Sequence, residues 1–142
     1  MPAVFFWEHT VQDSEIDGQD HANNVAYVEW LQAAAVAHSA AQGWPGSRYR
    51  EVGHGWVVRR HTIEYLQPAH AGDEIVVRTW VSTMKRVTSV RQYEVIRPSD
   101  GAVLAKAETL WAFIDYAARQ PRRILPEVVG SFELVETRPD TF

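Results

Sequence analysis

The sequence contains no cysteine and only two methionines in 142 residues. Disulfide staples and thiolate metal sites are therefore excluded. No run of residues approaches the ~20 consecutive apolar positions of a membrane-spanning helix. The first ten residues, "MPAVFFWEHT", have neither a basic segment nor a long apolar core, so they do not read as a secretion signal. Positive charge is also scarce: 14 Lys and Arg stand against 18 Asp and Glu, a formal net charge of −4. Non-specific nucleic-acid binding needs the opposite balance. The expected setting is a soluble, cytoplasmic protein with no nucleic-acid and no membrane partner. A hydrophobic fraction of 46% in a chain of this length suffices for one packed core, so residues 1–142 are expected to form a single domain.

What is present falls into two halves of different period. Ala3–Val11 is short, aromatic and β-branched, and predicts a strand. Asp13–Asn23 reads as a polar loop. From Asn24 the chain runs "NVAYVEWLQAAAVAHSAAQGW", rich in alanine, free of proline, with Gly43 placed to end it. That predicts a helix of about five turns. Its apolar residues Val25, Ala26, Tyr27, Val28, Trp30, Leu31 and Val36 cover most faces, which predicts burial. "PGSRYREVGHG" reads as a loop. Strands are predicted at Trp56–Leu66, Ile75–Thr83, Thr88–Arg97 and Val103–Tyr116, with "PSDG" turning between the last two. The tail from Pro121 carries no clear signal. The fold class is α+β, a long central helix wrapped by a curved antiparallel sheet. One helix under one sheet leaves edges exposed, so a homodimer or homotetramer is expected.

The polar stretch ahead of the helix carries the chemistry. "EIDGQDHANNVAY" places an acidic residue two before Asp17, then His21-x-Asn23-Asn24, then Tyr27. This resembles the 4-hydroxybenzoyl-CoA thioesterase family of hotdog-fold proteins. "IEYLQPAHAGDEIVV" is similar to a second pattern of that family through Tyr65, Pro68, Gly72 and Asp73. The resemblance runs from about Val4 to Ile124. Two positions depart from it: Asp20 stands where the family often has glycine, and Gln32–Ala35 where it often has an acidic residue followed by a basic one. The helical acid of some subfamilies is thus missing, leaving the loop aspartate.

The resemblance implies hydrolysis of an acyl-CoA or acyl carrier protein thioester, without a cofactor or metal. Asp17 is implied as nucleophile or general base; by position alone it is a loop carboxylate favoured by a helix N-terminus. Asn23 is most simply an N-cap, which leaves the Asn24 N–H as first amide of the helix and candidate oxyanion donor. His21 either shapes the loop by hydrogen bonding or takes part directly. Asp17, Asp20 and His21 invite a metal reading, but no second histidine lies nearby in sequence. Tyr27 and Trp30 are core residues or line an acyl pocket. Lys85 and Arg86, at a hairpin tip, are solvated charges or, by the resemblance, meet coenzyme A phosphates; Arg119, Arg122 and Arg123 form a second candidate patch. The rival readings are a hotdog hydratase or dehydratase built on Asp17 and His21, and a non-catalytic acyl-CoA-binding module.

Overall fold

The computed structural model describes residues 3–139. Strand β1 is Val4–Thr10, helix α1 Asn24–Ala41, helix α2 Gly46–Val52, and strands β2 to β5 are His54–Tyr65, Glu74–Met84, Thr88–Arg97 and Ala102–Asp115. A short strand β6, Gln120–Pro121, and a one-turn helix α3, Pro126–Val129, follow. The sheet is antiparallel with order β1-β3-β4-β5-β2, and β6 pairs with β5. The long predicted strands and the helix are therefore present, with β2 starting two residues earlier than the sequence pattern marks.

The sheet alternates faces, as extended chains must. One row, Trp7–Val77–Val95–Ala105–Tyr65, is continuous through the strand registers. All but Tyr65 belong to or pack on the main core, with Tyr27, Trp30, Leu31, Ala34 and Ala35 of α1. The small side chains Ala26, Ala34 and Ala35 let the helix lie close against the curled sheet. A register shift after Val58 lets β2 bend around it.

Helix α1 is not apolar on every side. Val25 and Val36 are 66% and 60% exposed, so one face is left uncovered within the chain. The "PGSRYREVGHG" segment is a correction to the expected loop: residues Gly46–Val52 are helical, closed by Gly53 at φ 77°. Tyr49 explains it. Its buried ring stacks on Trp44 at 5.0 Å, and its hydroxyl meets Ser39 at 3.0 Å and Trp56 at 3.1 Å. One anchored aromatic fixes a helix too short to show a period. The tail also gains structure through packing: Ile124, Val128 and Phe132 form a second core with Trp44, Tyr49 and Phe113. Gln42 and Trp44 donate to Ser131 at 2.9 and 3.1 Å, tying the tail to the end of α1.

Candidate active site

Asn23 starts α1 as its sequence suggests. It is extended (φ −73°, ψ 158°), and its side-chain oxygen accepts the Ala26 N–H at 2.8 Å. Its amide side chain and its backbone N–H both donate to the Glu15 carbonyl, at 3.0 and 2.8 Å. Asn24 is the first helical residue, and its N–H has no acceptor among the described residues. The first turn of α1 holds no acidic side chain. The positive end of the helix is therefore not neutralised from within.

Asp17 sits in the loop before that end. Ile16 and Ala22 bridge, the Asp17 N–H donates to His21 O at 2.8 Å, and Asp20 N–H donates to Asp17 O at 3.2 Å. The Asp17 carboxylate is exposed, and its Oδ1 accepts the N–H groups of Gln19 at 2.8 Å and His21 at 3.3 Å. Asp20 takes the left-handed conformation, φ 66°, which accounts for the glycine common there in the resembled family.

Glu15 is a carboxylate of another kind, half-buried and fully engaged. It accepts from the Gln12 N–H, from His9 Nε2 at 2.8 Å and from Trp30 Nε1 at 2.7 Å. Burial pushes its pKa up, but the hydrogen bonds from Gln12, His9 and Trp30 outweigh that and hold it below its ordinary 4.5. The sign of the pH effect follows. A lowered folded pKa stabilises the fold above about pH 4.5 and loses that contribution as pH falls through the folded value. Glu15→Gln is expected to lower the melting temperature at pH 7 and to flatten its decline on acidification. Parallel melting curves from pH 7 to pH 3 check this; equal slopes for the two proteins would contradict it.

The second motif closes over the first. The Ala22 N–H donates to Ala69 O at 2.8 Å, His70 Nδ1 meets Asp20 O at 3.3 Å, and the His21 and His70 rings pack edge to face at 5.3 Å. The Asp73 carboxylate accepts the His70 N–H at 3.0 Å and pairs with Arg97 at 3.0 Å. Arg97 also bonds Asp100 and the Pro68 carbonyl, and the carboxylates of Asp100 and Asp73 raise its pKa. Tyr65 donates to Asn24 O at 3.3 Å. The buried Tyr27 packs on Trp30 at 4.7 Å and on Tyr65 at 5.1 Å. It is a core residue at the helix mouth, and burial raises its pKa.

Asp17, His21, Asn23, Asn24 and Tyr27 are thus brought together, joined by Tyr65, His70, Asp73 and Arg97. The His21 ring faces His70, while its backbone, not its ring, bonds Asp17. Among the described residues no three His, Asp or Glu side chains converge to hold a metal ion. No helix of the described residues is long and apolar enough to cross a membrane. Lys85 and Arg86 are exposed at the far end of β3, an 11-residue strand that starts beside the helix mouth and spans roughly 33 Å. Within one chain they are not part of this site. The Arg97 clamp gave no separate signal in the sequence, because a basic residue ending a strand before a turn is ordinary.

A cavity of about 220 Å³ lies toward the other end of α1, lined by Val36, Trp44, Tyr49, Trp56, Trp111 and Phe132 among others. At ~1.5 Å per residue, Ala35 on its wall lies roughly 16 Å along the helix from Asn24.

A long helix in a curled antiparallel sheet, its N-terminus facing a carboxylate loop, defines a hotdog domain of the thioesterase type. The chain belongs to the acyl-ACP thioesterase N-terminal domain family, whose model matches residues 2–132. It is 25% identical over 135 residues to the acyl-CoA thioester hydrolase YbgC of Escherichia coli, covering 92% of this chain and 96% of that protein. It is also 25% identical to the chloroplastic palmitoyl-acyl carrier protein thioesterase of Gossypium hirsutum, over 92% of this chain but only 33% of that protein. The fold is shared with the crystal structure of a 1,4-dihydroxy-2-naphthoyl-CoA thioesterase from Synechocystis. That similarity has a TM-score of 0.84 at 18% identity and covers 90% of this chain and 94% of that one.

Proposed function

We propose that this single domain hydrolyses an acyl thioester of coenzyme A or acyl carrier protein, using Asp17 and the Asn24 amide. One observation carries the reading: an exposed carboxylate, fixed by two backbone N–H groups, precedes a helix whose first amide is unpaired. Asp17 takes a proton from water, which adds to the thioester carbonyl, or attacks that carbon itself. The developing oxyanion accepts a hydrogen bond from the Asn24 N–H, reinforced by the helix end. The C–S bond then breaks, and the thiolate leaves and takes a proton. The nucleophile route ends with water cleaving the acyl-aspartate anhydride. No metal or cofactor is required.

The test is a panel of acyl-CoA and acyl carrier protein thioesters assayed with a thiol-detecting reagent. Release of free thiol from at least one class supports the reading. Water addition to an enoyl-CoA without thiol release would point to a hydratase. The geometry within the chain does not favour that rival, since the His21 ring packs on His70 and not on the Asp17 carboxylate.

The active form is proposed to be at least a dimer. Strand β2 ends the sheet with one edge unpaired among the described residues, and Val25 and Val36 leave an apolar stripe on α1. Light scattering at micromolar concentration should give a mass of two or four chains of 16.2 kDa. A fully active monomer would refute it.

A further inference from the structure

Arg91 is a buried charge with no counter-charge among the described residues. It is 6% exposed, on the concave face of β4, and it lines the cavity beneath the second half of α1. Its Nη1 donates to His38 Nδ1 at 2.8 Å and to Thr79 Oγ1 at 3.2 Å. Both acceptors are neutral, because a histidine nitrogen that accepts from a guanidinium carries no proton. No carboxylate among the described residues pairs with Arg91, and its Nε and Nη2 meet no acceptor there. Burial pulls its pKa down, and only the phenols of Tyr93 and Tyr49 oppose this. The other buried arginine of the sheet shows the contrast. Arg78, on the convex face and 1% exposed, is paired with Glu94, whose second oxygen is held by Arg138.

An unpaired buried guanidinium is among the least favourable arrangements a core can hold. Here it does not stand alone. The indole Nε1 of Trp111, on the same cavity wall, is buried and makes no hydrogen bond of normal geometry, although it lies near the Tyr93 hydroxyl. The buried Tyr93 hydroxyl also makes no hydrogen bond of normal geometry, although Thr109 and Trp111 lie close enough to offset part of the rise that burial causes in its pKa. A guanidinium and an indole N–H are donors, and the phenol can donate. The rest of the wall is apolar and aromatic, and the space exceeds the ~150 Å³ that admits benzene.

We infer that this cavity binds an apolar group ending in a carboxylate, with the anion on Arg91 and Trp111 Nε1. Because the cavity lies some 16 Å along α1 from Asn24, the carboxylate is assigned to the far end of the acyl group and not to the reacting carbonyl. That assignment rests on the thioesterase reading; the binding site itself does not. A free carboxylic acid offers the same chemistry.

The binding experiment is calorimetric titration of the whole protein with octanoate and with its neutral analogue octanamide. Octanoate is expected to bind at least 10-fold more tightly, the usual size of a charge-assisted contact. Arg91→Met should bring the two ligands to within 3-fold of each other, and Arg91→Lys should restore part of the preference. Trp111→Phe keeps the ring and removes the N–H, and should weaken octanoate binding about 3- to 10-fold, so it decides the matter should Arg91→Met not fold. Equal affinities in the wild type, or a preference that survives Arg91→Met, would overturn the site.

The substrate experiment compares kcat/KM for hexadecanedioyl-CoA, whose sixteen-carbon acyl group is long enough to run from the helix mouth to Arg91 and ends in a carboxylate, with palmitoyl-CoA. The wild type should favour hexadecanedioyl-CoA by about 10-fold, and Arg91→Met should erase or reverse the order. If octanoate binds through Arg91 but hexadecanedioyl-CoA is not preferred, the occupant is a free acid and the acyl-end assignment falls. If octanoate binds through Arg91 and no thioester is hydrolysed, the thioesterase reading falls and the site stands. If thioesters are hydrolysed without Arg91-dependent binding, the site falls and the thioesterase reading stands.

Discussion

Asp17→Asn is expected to lower thioester turnover ~100-fold or more while leaving the fold intact. The local geometry makes the substitution clean. The aspartate uses one oxygen, Oδ1, to accept from Gln19 and His21. An asparagine oxygen in the same place can keep both bonds, so the turn that presents the side chain survives. What disappears is the negative charge, and with it the ability to take a proton from water or to attack a carbonyl. Because the side chain is exposed in a loop, the change in stability should stay within ~0.5 kcal/mol, about 2 °C in melting temperature. Asp17→Ala is the informative companion. It also removes the acceptor for two backbone donors, so it should loosen the turn as well as stop the chemistry. Unchanged kcat in a folded Asp17→Asn protein would remove Asp17 from the mechanism.

The parts of the site that were legible in the sequence are those where local chemistry dictates structure. Asn23 reads as an N-cap because its side chain competes for a helical amide, and it does so in the fold. The alanine-rich run to Ala41 and the glycine after it follow the same logic. The two motifs could be matched to a family, but their contact could not be derived from either one: Ala22 meets Ala69, and Asp20 meets His70, across about 50 residues. Helix α2 was illegible because its order comes from Tyr49 filling a hole between Trp44 and Trp56, a tertiary effect in a seven-residue polar segment. Arg91 was illegible for a different reason. In "TSVRQYEVIR" each face of β4 carries a buried ion, Arg91 on one and Glu94 on the other, so alternation does not say which face is inward. Lys85 and Arg86 lie at the far end of β3 from the helix mouth, a separation that the sequence pattern alone does not supply.

Asn24 separates backbone from side chain in the proposed mechanism. Its side chain is exposed, so alanine should change little. Proline deletes only the N–H. The conditions for tolerating it are met: Asn24 is the first helical residue, where proline is favoured, and Asn23 already has the extended conformation that a following proline demands. The Asn23 cap, the Tyr65 contact to the Asn24 carbonyl and the ladder of α1 all remain available. Losing one oxyanion donor typically costs ~10²–10³ in turnover, about 3–4 kcal/mol in the barrier. Substrate binding should suffer less, because the bond strengthens as charge develops on the oxygen.

The most direct measurement is therefore the ratio of kcat for Asn24→Ala to kcat for Asn24→Pro, on one thioester substrate, with melting temperatures recorded on the same preparations. The helix-mouth mechanism predicts two folded proteins whose turnover differs by about 100-fold or more, with alanine close to wild type. Two folded proteins with turnover within 3-fold of each other would contradict it, because the amide that Asn24 presents would then have no part in stabilising the transition state.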